Sequence, residues 1–348
     1  MNGQVALFLI QDGIVNGAIY ALVGLAIVLV FTVTRVLFVP QGEFVTFGAL
    51  SLAAFQLGTV PGMVWLLGGF AVVVSVIEVI SAIRQHRARR IPGILAVYAV
   101  LPAVIIGLSV WLGPQKPHLL IQVLLSVALV TPLGPMVYRL AFQPLVNASV
   151  LVLLIVAVAV HFALQGFGLI FFGAEGFRVQ PFSEAKIDVG GLMLTGQSMW
   201  VVGTSVFFML ALYVFFGRTV FGKALRATAI NRLGARLVGI STPMAGKLAF
   251  TLAALMGSVS GVMIIGLTTL YYDSGFLIGL KGFVAAVFGA VLSYPMAVVG
   301  SVVVGILESF GSFWSSSYKE TIVFSLLIPV LLWLSLRSRH VEEEEEEI

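Results

Sequence analysis

Few residues in this chain have types and spacing that could do chemistry. Glu43 follows Pro40 and Gly42 inside a hydrophobic region, and Thr46 lies about one turn further on. A carboxylate there admits two readings: a functional acid on a polar path, or a cap that favours a helix start through its dipole. His161 is the lone histidine of a long apolar stretch. It could relay protons, although a hydrogen bond to a neighbouring helix accounts for it more simply. No second His stands three or four residues away and the chain has no cysteine, so neither a metal site nor a disulfide is expected. No nucleophile stands beside a base, and no Gly-x-x-x-x-Gly-Lys-Ser/Thr phosphate loop exists. The sequence therefore reads as a non-enzyme with no catalytic residue, no metal and no cofactor.

The remaining chemistry is ionic, and most of it is concentrated between Gly217 and Lys247. Arg218, Lys223, Arg226, Arg232, Arg236 and Lys247 stud that stretch, so it cannot cross a membrane. It keeps helical spacing. Lys223 and Arg226 are three apart and Arg232 and Arg236 four apart, which puts each pair along one helix face, with Leu233 and Leu237 as an apolar ridge beside the second pair. Gly217 is suited to stop the incoming helix, and Ser241, Thr242 and Pro243 to start the next. The spacing predicts a short helix-turn-helix at a membrane face, over residues 217–243, available to a partner.

The elements that position these residues follow from composition. The chain has 348 residues, 60% hydrophobic and 10% charged, with net charge +4, and its mean hydropathy is +1.11. Soluble domains carry about a quarter charged residues. Charge-free runs such as Phe44–Ile77, Ile91–Gln115 and Val189–Gly217 exceed the ~20 residues that span a bilayer core, and they do not alternate as barrel strands do. The expected fold is all-α: a polytopic transmembrane bundle in one domain over 1–340, with about 9–11 membrane segments including broken helices. Candidate spans are 9–32, 38–57, 62–83, 92–112, 119–138, 148–172, 192–216, 244–267, 277–293, 294–311 and 321–336. Arg35, the cluster Arg84, Arg87, Arg89 and Arg90, then Arg139, the 217–247 stretch, Arg337 and Arg339 all fall on alternate loops. The positive-inside rule then puts those loops in the cytoplasm, the N-terminus outside and the C-terminus inside. The positive charge thus speaks for membrane orientation and lipid headgroups, not for nucleic acid.

Several segments carry their own expectations. Gly13 and Gly17, like Gly257 and Gly261, permit close helix packing. Glu78 is expected to snorkel or to pair with the Arg84–Arg90 cluster, a topology anchor on anionic lipid. Residues 173–191 form the longest outer loop, a solvated hairpin or surface helix. The two apolar pieces between Asp273 and Gly305 resemble paired or broken helices around a path, joined at Leu292–Met296. Lys281 is expected to snorkel outward, near the outer face, and not to pair with Glu43 near the inner face. The acidic tail 341–348 is expected to be disordered.

Four stretches together resemble the inner-membrane permease subunits of branched-chain amino acid ABC importers. They are Asn16–Leu25 (NGAIYALVGL), Gln41–Phe44 (QGEF), Gly222–Ala229 through Ala235–Ile240 (GKALRATA, ARLVGI), and Gly279–Phe283 (GLKGF) onward to Gly305–Glu308 (GILE). That family often has His-Gly-Glu where Gln41, Gly42 and Glu43 stand here, and residues 62–113 look like an added helical hairpin. The resemblance implies a bacterial inner-membrane transport subunit that works with two cytoplasmic ABC ATPases, a second related permease and an extracytoplasmic solute-binding protein. It implies a path that involves Asn16, Tyr20, Gln41, Gly42, Glu43 and Thr46. It also implies ATPase coupling through Lys223, Arg226, Asn231, Arg232, Arg236, Leu237 and Gly239. The expected solute is a branched-chain amino acid or a related amide or urea-like compound. The alternative is a proton-driven secondary transporter that uses Glu43 and His161.

Overall fold

The computed structural model describes residues 3–86, 89, 91–189, 192–288, 293–333 and 336. Eight of its helices are long and apolar enough to cross a membrane. The first, α1 (Gly3–Thr34), has 32 residues, about 48 Å at 1.5 Å per residue, more than a bilayer core requires. It is the axis of the bundle, buried over most of its length. Glycines let it run close to α14 (Tyr294–Trp314): a Cβ on Gly13 would lie 2.6 Å from Ile306 Cα, and one on Gly17 2.8 Å from Val302 Cα.

After α1 the chain does not turn straight into another span. Residues 35–40 are non-helical, with Arg35 at φ 63°, and α2 (Gln41–Leu57) starts inside the bundle, with Gln41, Gly42 and Glu43 already buried. Gly58, at φ 77°, ends it as a left-handed cap. α2 is clamped between α12 (Thr242–Ile264) and α13 (Ser274–Val287). A Cβ on Gly42 would fall 1.8 Å from the Gly275 carbonyl oxygen, and one on Gly261 1.8 Å from that of Val45. Only glycine permits these crossings. Both α2 and α13 are shorter than a full span, which matches the broken-helix expectation; the link at 289–292 lies outside the described residues.

The segment 63–115 comprises α3 (Met63–Arg84), α4 (Ile91–Leu95) and α5 (Leu101–Leu112), with a π-helical turn at Ala96–Val100. α6 (Leu119–Val130) and α7 (Leu133–Val137) continue into one span that reaches Leu145. Glu78 of α3 does not turn to the arginine cluster as expected. It takes Arg139 Nε at 2.7 Å and Lys247 Nζ at 3.1 Å, and Lys247 also donates to the Tyr98 hydroxyl at 2.8 Å. The pairing joins α3 and the π turn to α12 inside the bundle. It satisfies charges that hydrocarbon would otherwise expose. Arg84 and Arg89 are exposed, while Arg87 and Arg90 lie outside the described residues.

α8 (Val150–Phe172) leads to the long loop, which forms an antiparallel hairpin, β1 (Lys186–Val189) and β2 (Leu192–Thr195). α9 (Gly196–Arg218) follows. Gly217 does not stop it; the helix passes through to Arg218. Thr219 makes the break instead, since its hydroxyl caps the Gly222 N–H at 2.9 Å and donates to the Phe215 carbonyl. α10 (Val220–Ile230) and α11 (Arg232–Leu237) are the expected helix-turn-helix, jointed at Asn231, whose Oδ1 accepts from the Gly234 N–H at 2.8 Å. Gly239, at φ 86°, turns the chain away from α11. A short α15 (Lys319–Ser325) and a helical stretch at 327–333 close the described chain. The acidic tail and Arg337 and Arg339 lie beyond it.

Candidate functional site

The residues expected to carry function fall in three places. The first is the α2 crossing. Gln41 Nε2 donates to the Ala253 carbonyl at 2.9 Å, and its buried Oε1 has no donor among the described residues. Glu43 is fully buried, and His161 Nδ1 of α8 lies 3.0 Å from its Oε1. Apart from this contact, neither Glu43 oxygen has a hydrogen-bond partner among the described residues. The His161 ring stacks on Phe276 with centroids 4.6 Å apart. Thr46 Oγ1 is buried beside Gly275, without a hydrogen-bond partner among the described residues. Glu43 therefore sits in the middle of the bundle, not near its inner face, beside a residue halfway along α8, because the non-helical segment 35–40 separates the end of α1 from the start of α2.

The second place is a chamber of about 440 Å³ lined by residues of α1, α12, α13 and α14. Asn16 and Tyr20 of the expected path line it. So does Lys281, which does not snorkel: it is 5% exposed, with Nζ 2.5 Å from Glu308 Oε1 and 3.2 Å from Glu320 Oε1. The Tyr20 hydroxyl donates to Glu308 Oε2, and Lys281 Nζ stands 5.8 Å from the Tyr20 ring centre. The ammonium turns inward because two carboxylates and an aromatic face await it there. Lys281 and Glu308 are 27 residues apart; only the packing of α13 on α14 makes them neighbours. The expected path residues thus divide, with Asn16 and Tyr20 on this chamber and Gln41, Gly42, Glu43 and Thr46 at the crossing. Lys281 does not pair with Glu43, as the sequence led one to expect.

The third place is the end of the bundle that carries α10 and α11. Ile230, Leu233, Leu237 and Val238 are 84%, 69%, 81% and 75% exposed there. Lys223, Arg226, Asn231, Arg236 and Gly239 are exposed as well. Arg236 Nε donates to Thr242 Oγ1 at 3.0 Å. Arg226 does not join the ridge; with Phe216, Leu225 and Tyr294 it lines a cleft toward α1 and α14. Arg232 is half-buried, its Nε without an acceptor among the described residues. Burial above all pushes its guanidinium down from the ordinary value, Tyr138 opposes that, and Arg236 and Arg35 add to it. An arginine stays charged regardless.

The model of one protein family, described as branched-chain amino acid transport system / permease component, matches residues 9–335. The chain is 32% identical over 218 residues to the high-affinity branched-chain amino acid transport system permease protein LivH of Escherichia coli (strain K12), covering 60% of this chain and 70% of that protein. It is 27% identical over 215 residues to the corresponding protein BraD of Pseudomonas aeruginosa, covering 60% and 70%. Among solved structures, PsaBC from Streptococcus pneumoniae in complex with Fab aligns with 92% of this chain and 90% of its own at 11% identity, with a TM-score of 0.40.

Proposed function

This chain belongs to the branched-chain amino acid transport system permease family, and from that premise we propose that it is the membrane subunit of an ATP-driven importer. Its solute is a branched-chain amino acid delivered by an extracytoplasmic binding protein. The subunit pairs with a second related permease, and two ATPases act on it from the cytoplasm. Alternating access, an outward-open state exchanging with an inward-open one, moves the solute.

The observation that supports this most is the exposed apolar ridge on α10 and α11. Ile230, Leu233, Leu237 and Val238 project from the one end of the bundle that is studded with cations. Apolar side chains beside a basic rim suit a soluble partner with an acidic margin. Force applied there reaches the bundle directly. α10 packs on α9, α1 and α12, and Leu225 is buried against Leu29, Val33 and Ala249.

The buried Glu43–His161 pair supports the rival, proton-driven reading, and one experiment separates them. Cells that express the complete system take up radiolabelled L-leucine while an uncoupler collapses the proton gradient and ATP is maintained. Uptake should persist. Leu233→Asp with Leu237→Asp should abolish both that uptake and co-purification of the ATPases at unchanged membrane abundance. Uptake that stops with the uncoupler alone, or ATPases that still co-purify with the double variant, would contradict the proposal.

A further inference from the structure

The chamber between α1, α13 and α14 has an unbalanced charge. Asp12, Glu308, Lys281 and Lys319 line it, and Glu320 pairs with both lysines from beside the lining, so three carboxylates stand against two ammonium groups. Both lysines are engaged: Lys281 with Glu308 and Glu320, and Lys319 with Glu320 at 3.9 Å. Asp12 pairs with no cation among the described residues, and its Oδ2 accepts only the Ser309 hydroxyl at 3.2 Å. Glu320 Oε2 is buried without a donor among the described residues. The surplus is therefore one negative charge, which stands at the chamber mouth on an exposed Asp12. Val15, Ile264, Leu277 and Ile278 add apolar surface to the lining, among the hydroxyls of Ser198 and Ser274. Gln11, next to Asp12 on α1, donates through Nε2 to the Met193 carbonyl of the β-hairpin at 3.2 Å. Its volume falls within the range of small-molecule pockets, roughly 300–1,000 Å³.

We infer that this chamber is a subsite for the ammonium group of an aliphatic amino acid, with Asp12 as the counter-charge and the apolar part of the lining against the side chain. The inference rests on the transport reading above and narrows it. A ligand with a free ammonium fits; a neutral amide or a urea-like solute leaves Asp12 without a partner. The Lys281–Glu308–Tyr20 cluster is the rigid back of the site. Its groups hold one another, so the incoming ammonium meets an acid that is not already spent on a lysine.

The test uses the purified full chain in lipid nanodiscs without other subunits, with ligand-observed saturation-transfer NMR as the readout. L-Leucine and 3-methylbutylamine, which keeps the ammonium and loses the carboxylate, should both bind, and 4-methylpentanoate, which lacks the ammonium, should not. Asp12→Asn should weaken L-leucine binding by about tenfold or more, as loss of a charge-assisted contact implies, and Asp12→Glu should restore most of it. 4-Methylpentanoate that binds as well as L-leucine, no binding of L-leucine at all, or indifference to Asp12→Asn would overturn the inference. The same variants in the complete system keep the two readings apart. Binding that depends on Asp12 without ATP-driven uptake would count against the importer reading and leave the subsite standing.

Discussion

At the scale of single residues, the bundle spends its few charges in closed groups. Lys281 and Glu308 are the clearest, both nearly out of water and 2.5 Å apart. Removing Lys281 leaves Glu308 without a cation, which typically costs about 3–5 kcal/mol, whereas removing Glu308 leaves Lys281 with Glu320 at 3.2 Å and should cost less. Lys281→Met and Glu308→Gln should each lower the melting temperature of the detergent-solubilised protein. The double variant should lose clearly less than the sum of the two, because neither charge is then stranded. Additive losses would mean that the contact contributes nothing. The sequence shows that these residues are anomalous in apolar surroundings but not where they turn. Snorkelling is the natural reading of a lone lysine, and Glu78 beside an arginine run points to that run. In both cases a partner from a distant helix decides the outcome: Glu308 for Lys281, and Arg139 with Lys247 for Glu78. Glu43 is the same kind of case, since its neighbour His161 lies on another helix.

At the scale of elements, close approach depends on glycine where α2 crosses α12 and α13. The pairs Gly13 and Gly17, and Gly257 and Gly261, are legible from their spacing because small residues four apart make one smooth face. Gly42 is not legible in this way; it looks like part of a helix-start motif, and only the crossing shows that its missing side chain leaves room for Gly275. Gly42→Val should therefore cut the yield of folded protein sharply, as read by monodisperse elution in detergent. Gly69→Val, at a position with nothing within 4 Å of a Cβ, should leave the yield near that of the parent chain. Equal yields would show that α2 and α13 do not need this contact. The position of α2 was hidden for a related reason. Hydropathy marks 38–57 as a span, yet the backbone stays non-helical to residue 40, so the helix starts in the bundle's interior.

At the scale of the whole molecule, the helical, membrane-spanning architecture is legible from composition alone, because apolar runs of this length leave few alternatives. The division into two ends is legible from the alternation of basic loops. Contacts bear out which segments share an end: Arg232 reaches the Val146 carbonyl and Tyr294 lies 3.4 Å from Thr32 at one end, while Gln180 meets Gln56 and Phe177 bridges Leu270 at the other. Which end faces the cytoplasm carries the whole account of α10 and α11 as the place where ATP-driven force enters. Because the chain has no cysteine, a single Leu237→Cys variant reports on this directly. A membrane-impermeant maleimide should leave that thiol unlabelled in intact cells and label it in inverted membrane vesicles. Labelling in intact cells would put the ridge on the outer side and contradict the coupling account.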